Sequence, residues 1–133
     1  MFIDRLLNQG NGPLLEQMLR FTEAKHNLIF ENVANVDTPG YLQKDLDTAK
    51  FQAMLAKRAA ERSSAAPGSV SFDDITEDVE KPTNTLMFHD KNNRSMEQLM
   101  SDNAKNALFH NLVVELLRKQ YSAMESALKE RVT

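Results

Sequence analysis

Residues 95–131, SMEQLMSDNAKNALFHNLVVELLRKQYSAMESALKER, decide the fold. From Met96 onward, Met96, Met100, Asn103, Ala107, His110, Val114, Leu117, Tyr121, Met124 and Leu128 are separated by alternating steps of four and three. That alternation is the seam of a coiled coil, because a mean step of 3.5 residues keeps one stripe of a helix facing one partner. Ser95 and Gln98 fit a capping box, in which the hydroxyl accepts from the Gln98 N–H and the Gln98 side chain reaches back. One helix from Met96 to Arg131 is expected, about 54 Å long at 1.5 Å per residue.

Its expected partner lies near the other end of the chain. Pro13 suits the first turn of a helix, where its missing N–H would have no acceptor. From Leu14 to Val36, Leu14, Leu15, Met18, Leu19, Phe21, Leu28, Ile29, Val33 and Val36 fall on one side, with Glu16, Arg20, Glu23, Asn27 and Glu31 opposite. This helix spans about 36 Å, so pairing it with the last one leaves roughly 18 Å of seam without a partner from the same chain. Each large aliphatic side chain left in water there forgoes about 1.5–3 kcal/mol, which favours assembly with another chain. A short helix over Met1–Asn8, carrying Phe2, Ile3, Leu6 and Leu7, is the alternative cover.

Between the long helices, Asp47 can cap a second helix whose Phe51, Met54 and Leu55 face inward while Lys50, Lys57, Arg58 and Arg62 face water. It gives way to Ser63–Ser69, a small-residue run with Pro67 and Gly68 that reads as a loop. Asp73 to Glu80 is acidic, and Thr85–Phe88 is expected to pair with Val70–Phe72 as a small hairpin. The expected fold class is therefore mainly α. Residues 1–47 and 95–133 form one domain, its long N- and C-terminal helices paired as a coiled coil, and residues 48–94 form a loop-rich middle.

Composition narrows the function. Hydrophobic residues make up 41% of the 133-residue chain, enough for a thin core, and aromatics only 7%, a palette suited to helix packing. Sixteen basic and 19 acidic residues give a net charge of −3, which offers no overall field to draw the protein onto nucleic acid. With no cysteine there are no disulfides, thiolate metal sites or thiol nucleophiles. No stretch approaches the roughly 18 apolar residues of a membrane span, so an integral membrane protein is not expected. The N-terminus, with Asp4 and Arg5, does not read as a cleaved secretory signal.

Neither a catalytic centre nor a cofactor or metal site is expected. His26, His89 and His110 stand alone, without the spacing of a motif such as H-E-x-x-H. Ser126–Lys129 and Ser101–Asn103 match S-x-x-K and S-D-N, but in reversed order and without K-T-G. Asp90–Asn93 begins like a calcium loop, yet Arg94 stands where an oxygen ligand is needed and Ser95 where glycine is needed. Lys25, Asn32 and Asn103 intrude on apolar faces, where a polar group can fix register at a cost in stability.

The first long helix ends in Asn32-Val33-Ala34-Asn35-Val36-Asp37-Thr38-Pro39-Gly40-Tyr41. Pro39 and Gly40 supply the two φ values of a type II turn, and Pro39 forces the helix to stop before Thr38. Asn32 and Asn35 can set their amides against the last helix carbonyls or a neighbouring subunit's backbone. The string resembles the N-x-A-N-x-x-T-P-G-Y signature of bacterial flagellar rod, hook and hook-associated proteins, through Asn32, Ala34, Asn35, Thr38, Pro39, Gly40 and Tyr41. The short chain without a large central insertion is most similar to the basal-body rod proteins.

That resemblance implies a structural subunit of the axial rod, with terminal helices pairing into a coiled coil around the channel. It also implies the partners: copies of itself, other flagellar rod proteins, the adaptor FliE and the flagellar type III export apparatus. Export to the periplasmic rod of the basal body without a cleaved signal peptide is expected. A soluble coiled-coil adaptor or chaperone is the alternative from another class.

Overall fold

A computed structural model describes residues 10–66, 70, 80–82 and 96–130. Those residues are mainly helical. They form α1 (Gly12–Ala34), β1 (Lys44–Leu46), α2 (Thr48–Ser64), β2 (Glu80–Pro82) and α3 (Met96–Glu130). The expected Met1–Asn8 helix, the Ser95 cap and the Thr85–Phe88 strand lie outside the described residues.

α1 begins where Gly10 takes a φ of +72° and Leu15 N–H donates to Asn11 O at 3.0 Å, with Pro13 in the first turn. α2 starts as its sequence dictates, with the Asp47 carboxylate accepting from Lys50 N–H at 3.0 Å. Phe51 then turns inward and stacks on Phe21 of α1, ring centres 4.0 Å apart and planes 13° off parallel. Leu28 and Leu46 complete this apolar core, and Leu14, Met18, Met54, Leu55 and Val70 pack around it. Burying each of these large side chains stabilises the fold by about 1.5–3 kcal/mol, so α2 is held to α1 chiefly by aromatic and aliphatic contact.

α3 packs on another side of α1 and runs antiparallel to it. Gly10 lies beside Gln120, while Thr22 lies beside Asn106 and His110. At 23 residues α1 is about 34 Å long, and at 35 residues α3 is about 52 Å. Beyond Gln120, α3 therefore continues past the first described residue of α1, and from Tyr121 to Glu130 only Met124 is half-buried.

The inward stripe of α3 differs in phase from the heptad expected of it. The buried residues are Leu99, Asn106, Val113 and Leu117, with Asn103, His110, Gln120 and Met124 half-buried along the same stripe. Of the expected seam, Asn103, His110, Leu117 and Met124 do face inward and Val114 is half-buried, but Met96, Met100, Ala107, Tyr121 and Leu128 are exposed. The stripe thus keeps the four–three alternation while moving one of its two rows back by one residue. The cause is chemical. Asn106 and Gln120 occupy positions that a count of apolar residues passes over, and Asn106 is stabilised there by donating to Thr22 O at 2.9 Å.

β1 and β2 pair antiparallel, with Lys44 opposite Pro82, Asp45 opposite Lys81 and Leu46 opposite Glu80. This ladder joins strands far apart in sequence and is separate from the expected hairpin. Pro82 lies at its end, where a missing N–H is tolerated.

Candidate assembly site

The helix-end string Asn32–Tyr41 folds into two linked hydrogen-bonded units. Asn35 caps α1: its backbone N–H and its Nδ2 both donate to Glu31 O, at 3.1 and 2.9 Å. Thr38 N–H donates to Asn35 O at 3.0 Å, and the Thr38 hydroxyl donates to Asn35 Oδ1 at 3.3 Å. Tyr41 N–H then donates to Thr38 O at 3.2 Å, closing a turn in which Gly40 has a φ of +75°. Those are the bond and the dihedral of a type II turn with Pro39 and Gly40 at its centre.

Asn32 does something else. It is 2% exposed, and its side chain grips the backbone of Lys44 twice: Nδ2 donates to Lys44 O at 2.6 Å and Oδ1 accepts from Lys44 N–H at 3.1 Å. The same Oδ1 accepts from the Tyr41 hydroxyl at 3.0 Å. A carboxamide has the donor and acceptor of a peptide group, so Asn32 serves β1 on one edge as β2 serves it on the other. The expectation that Asn32 would meet a helix carbonyl or another subunit is corrected, because the turn swings Lys44 of the same chain into reach. Ala34, Thr38, Pro39 and Gly40 are exposed and Tyr41 is half-buried.

Lys25 adds an ionic tie from α1 to the same corner, with Nζ 3.3 Å from Asp45 Oδ1 and 3.5 Å from Thr48 Oγ1. Its side chain is mostly covered, so this pair is less screened than the largely exposed ones on the helix surfaces.

Between α1 and α3 the contact is polar at its centre. Thr22 is fully buried, and its hydroxyl donates to Leu19 O at 2.7 Å and lies 2.9 Å from His110 Nδ1. With its single hydrogen on Leu19 O, the hydroxyl accepts from His110 Nδ1–H. Gln17 and Asn106 are buried as well. Apolar periodicity gave no signal for Gln17, Thr22 or Asn106. The only available cue was the run of Asn103 and Asn106 on a helix whose neighbours are aliphatic. Beside this layer a cavity of about 480 Å³ opens between Leu19, Thr22, Glu23 and His26 of α1 and Asn106, Ala107, His110 and Asn111 of α3.

The outer side of α3 carries an apolar row among charged residues such as Lys105, Glu115 and Lys119. Met100, Leu108, Leu112 and Leu116 are 50%, 72%, 55% and 40% exposed, and with Ala104 they form a row in steps of four. Phe30 of α1, edge-on to His26, is also exposed. Among the described residues no group of three or more His, Cys, Asp or Glu side chains could hold a metal ion. Among them, too, no helix is long and apolar enough to cross a membrane. No protein-family model matches the chain, and no curated protein matches it.

Proposed function

We propose that this protein is a structural, non-catalytic subunit of the bacterial flagellar basal-body rod, most like the proximal rod protein FlgB, and that it assembles through its long helices into the axial tube. The single observation that carries the reading is the helix-end string from Asn32 to Tyr41. Its residues have the spacing of the rod signature, and Asn32, Asn35, Thr38 and Tyr41 each have a defined task in redirecting the chain out of α1. In this reading α1 and α3 are the coiled-coil pair of the inner layer, with the alternating row Leu99, Asn103, Asn106, His110, Val113, Leu117, Gln120 and Met124 as its seam.

Exposed apolar side chains along α3 support assembly, since burying each on a neighbour gains free energy that the lone subunit forgoes. Such neighbours are copies of the chain, other rod proteins and FliE, reached after export through the flagellar type III apparatus. Contacts between unlike patches build open helical tubes, which is the geometry a rod needs.

Deleting the gene tests this. The expected result is non-motile cells whose basal bodies lack the rod, restored by the intact gene. Cells that swim normally without the protein would refute it. A defect confined to a different short rod component, such as FlgC, would move the assignment within the rod.

A further inference from the structure

We infer that the cavity between α1 and α3 beside Thr22 binds a primary alkylammonium group, held by Glu23, Asn106 and His110 with its carbon chain against Leu19 and Ala107. This goes beyond the assembly reading and does not depend on it.

Thr22 decides what its two α3 neighbours have left to offer. Asn106 Nδ2 donates to Thr22 O at 2.9 Å, and since a carbonyl only accepts, the other head atom of Asn106 is the acceptor Oδ1. The Thr22 hydroxyl gives its hydrogen to Leu19 O at 2.7 Å, so His110 Nδ1, 2.9 Å from Thr22 Oγ1, carries the hydrogen of the neutral ring. Nε2 is then an acceptor. Among the described residues neither Asn106 Oδ1 nor His110 Nε2 has a hydrogen-bond partner, although Asn106 is 6% exposed and His110 is half-buried. Glu23 adds a carboxylate from the α1 wall, and among the described residues no lysine or arginine lines the cavity.

The three groups together present acceptors and one negative charge. Their complement is a cation rich in N–H, and a primary ammonium carries three such donors on one small atom. A water molecule has two hydrogens and leaves one acceptor unmet. A metal ion fits less well, because among the described residues no group of three or more His, Cys, Asp or Glu could hold one, and hard cations prefer all-oxygen sets to imidazole. At about 480 Å³ the cavity is many times the ~30 Å³ share of a water, so an alkyl chain fits behind the charged head. Leu19 and Ala107 give that chain carbon to lie on.

The probe is n-butylammonium, titrated into the full chain at mildly alkaline pH while NMR follows the Asn106 side-chain amide and the His110 ring. Saturable shifts with a Kd in roughly the millimolar range are expected of so small a ligand. Glu23 is exposed, so Glu23→Gln should fold normally and bind about tenfold more weakly, the difference between a charge-assisted and a neutral hydrogen bond. Butyltrimethylammonium keeps the charge and the chain but has no N–H, and it should lose about tenfold or more. Before any ligand is added, the ring nitrogen shifts of His110 should show hydrogen on Nδ1 and none on Nε2. The opposite tautomer overturns the inference. So does the absence of saturable shifts, equal binding of the trimethyl analogue, or unchanged affinity in Glu23→Gln. N-acetyl-lysine methylamide separates the sources of the ammonium: tighter binding than butylammonium assigns the site to a protein lysine, and weaker binding to a free amine, both upholding the ammonium site.

Discussion

Replacing Asn32 with alanine removes three hydrogen bonds at once, and the geometry sets the cost. Two of them bind the N–H and C=O of Lys44, at 3.1 and 2.6 Å, and the third accepts from Tyr41 at 3.0 Å. A typical bond contributes about 0.5–1.5 kcal/mol net, and Asn32 is 2% exposed, so its removal also leaves a small void. Lys44 is exposed and Tyr41 only half-buried, so water replaces part of the loss. We expect about 2–3 kcal/mol of destabilisation in urea, measured at unchanged slope.

Asn32→Asp sharpens the test. The carboxylate is isosteric and can still accept from Lys44 N–H and Tyr41, but it sets an anionic oxygen against Lys44 O where an N–H now donates. It should therefore be no more stable than Asn32→Ala at neutral pH. A stability for Asn32→Ala within about 0.5 kcal/mol of wild type, inside the ordinary scatter of surface substitutions, would refute the clamp. So would an Asn32→Asp variant that folds as stably as the parent.

Two further outcomes check the phase of α3 and the turn. Val113 is fully buried and its neighbour Val114 only half-buried, so Val113→Ala should cost about 2 kcal/mol in denaturant unfolding and Val114→Ala less than half of that; the reverse order would return the seam to the row through Val114. Gly40 has a φ of +75° and nothing within 4 Å of an added Cβ, so Gly40→Ala should cost about 1–2 kcal/mol from backbone strain alone, with Gly40→Asn milder by thermal unfolding.

What was legible in the sequence was local chemistry. Pro39 and Gly40 admit one turn type, Asp47 stands where a helix needs an acceptor, and Phe51 follows it on the inward face; the structure has each in that role. Helix existence was legible too, because apolar residues recur over many turns. The phase of α3 was harder to read, since aliphatic side chains surround the helix and the inward stripe includes Asn106 and Gln120. Periodicity ranks side chains by hydrophobicity, whereas packing against α1 rewards whichever one completes Thr22's hydrogen bonds. The β1–β2 ladder was illegible for a different reason: each strand has three residues, Lys-Asp-Leu and Glu-Lys-Pro, with neither alternation nor β-branched residues. β1 is held in place from outside, by Asn32 on the edge opposite β2.

The double grip of Asn32 on Lys44 has a mechanical consequence. A single bond is a swivel, but two bonds to one residue, a peptide's width apart, resist rotation as well as stretching. The corner where the chain leaves α1 is thus a bracket, and its stiffness comes from one carboxamide. A load twisting α1 about its long axis would pass into β1 through Asn32 and the Lys25–Asp45 pair, and toward the start of α2 through Lys25 and Thr48, without first spreading the aromatic core.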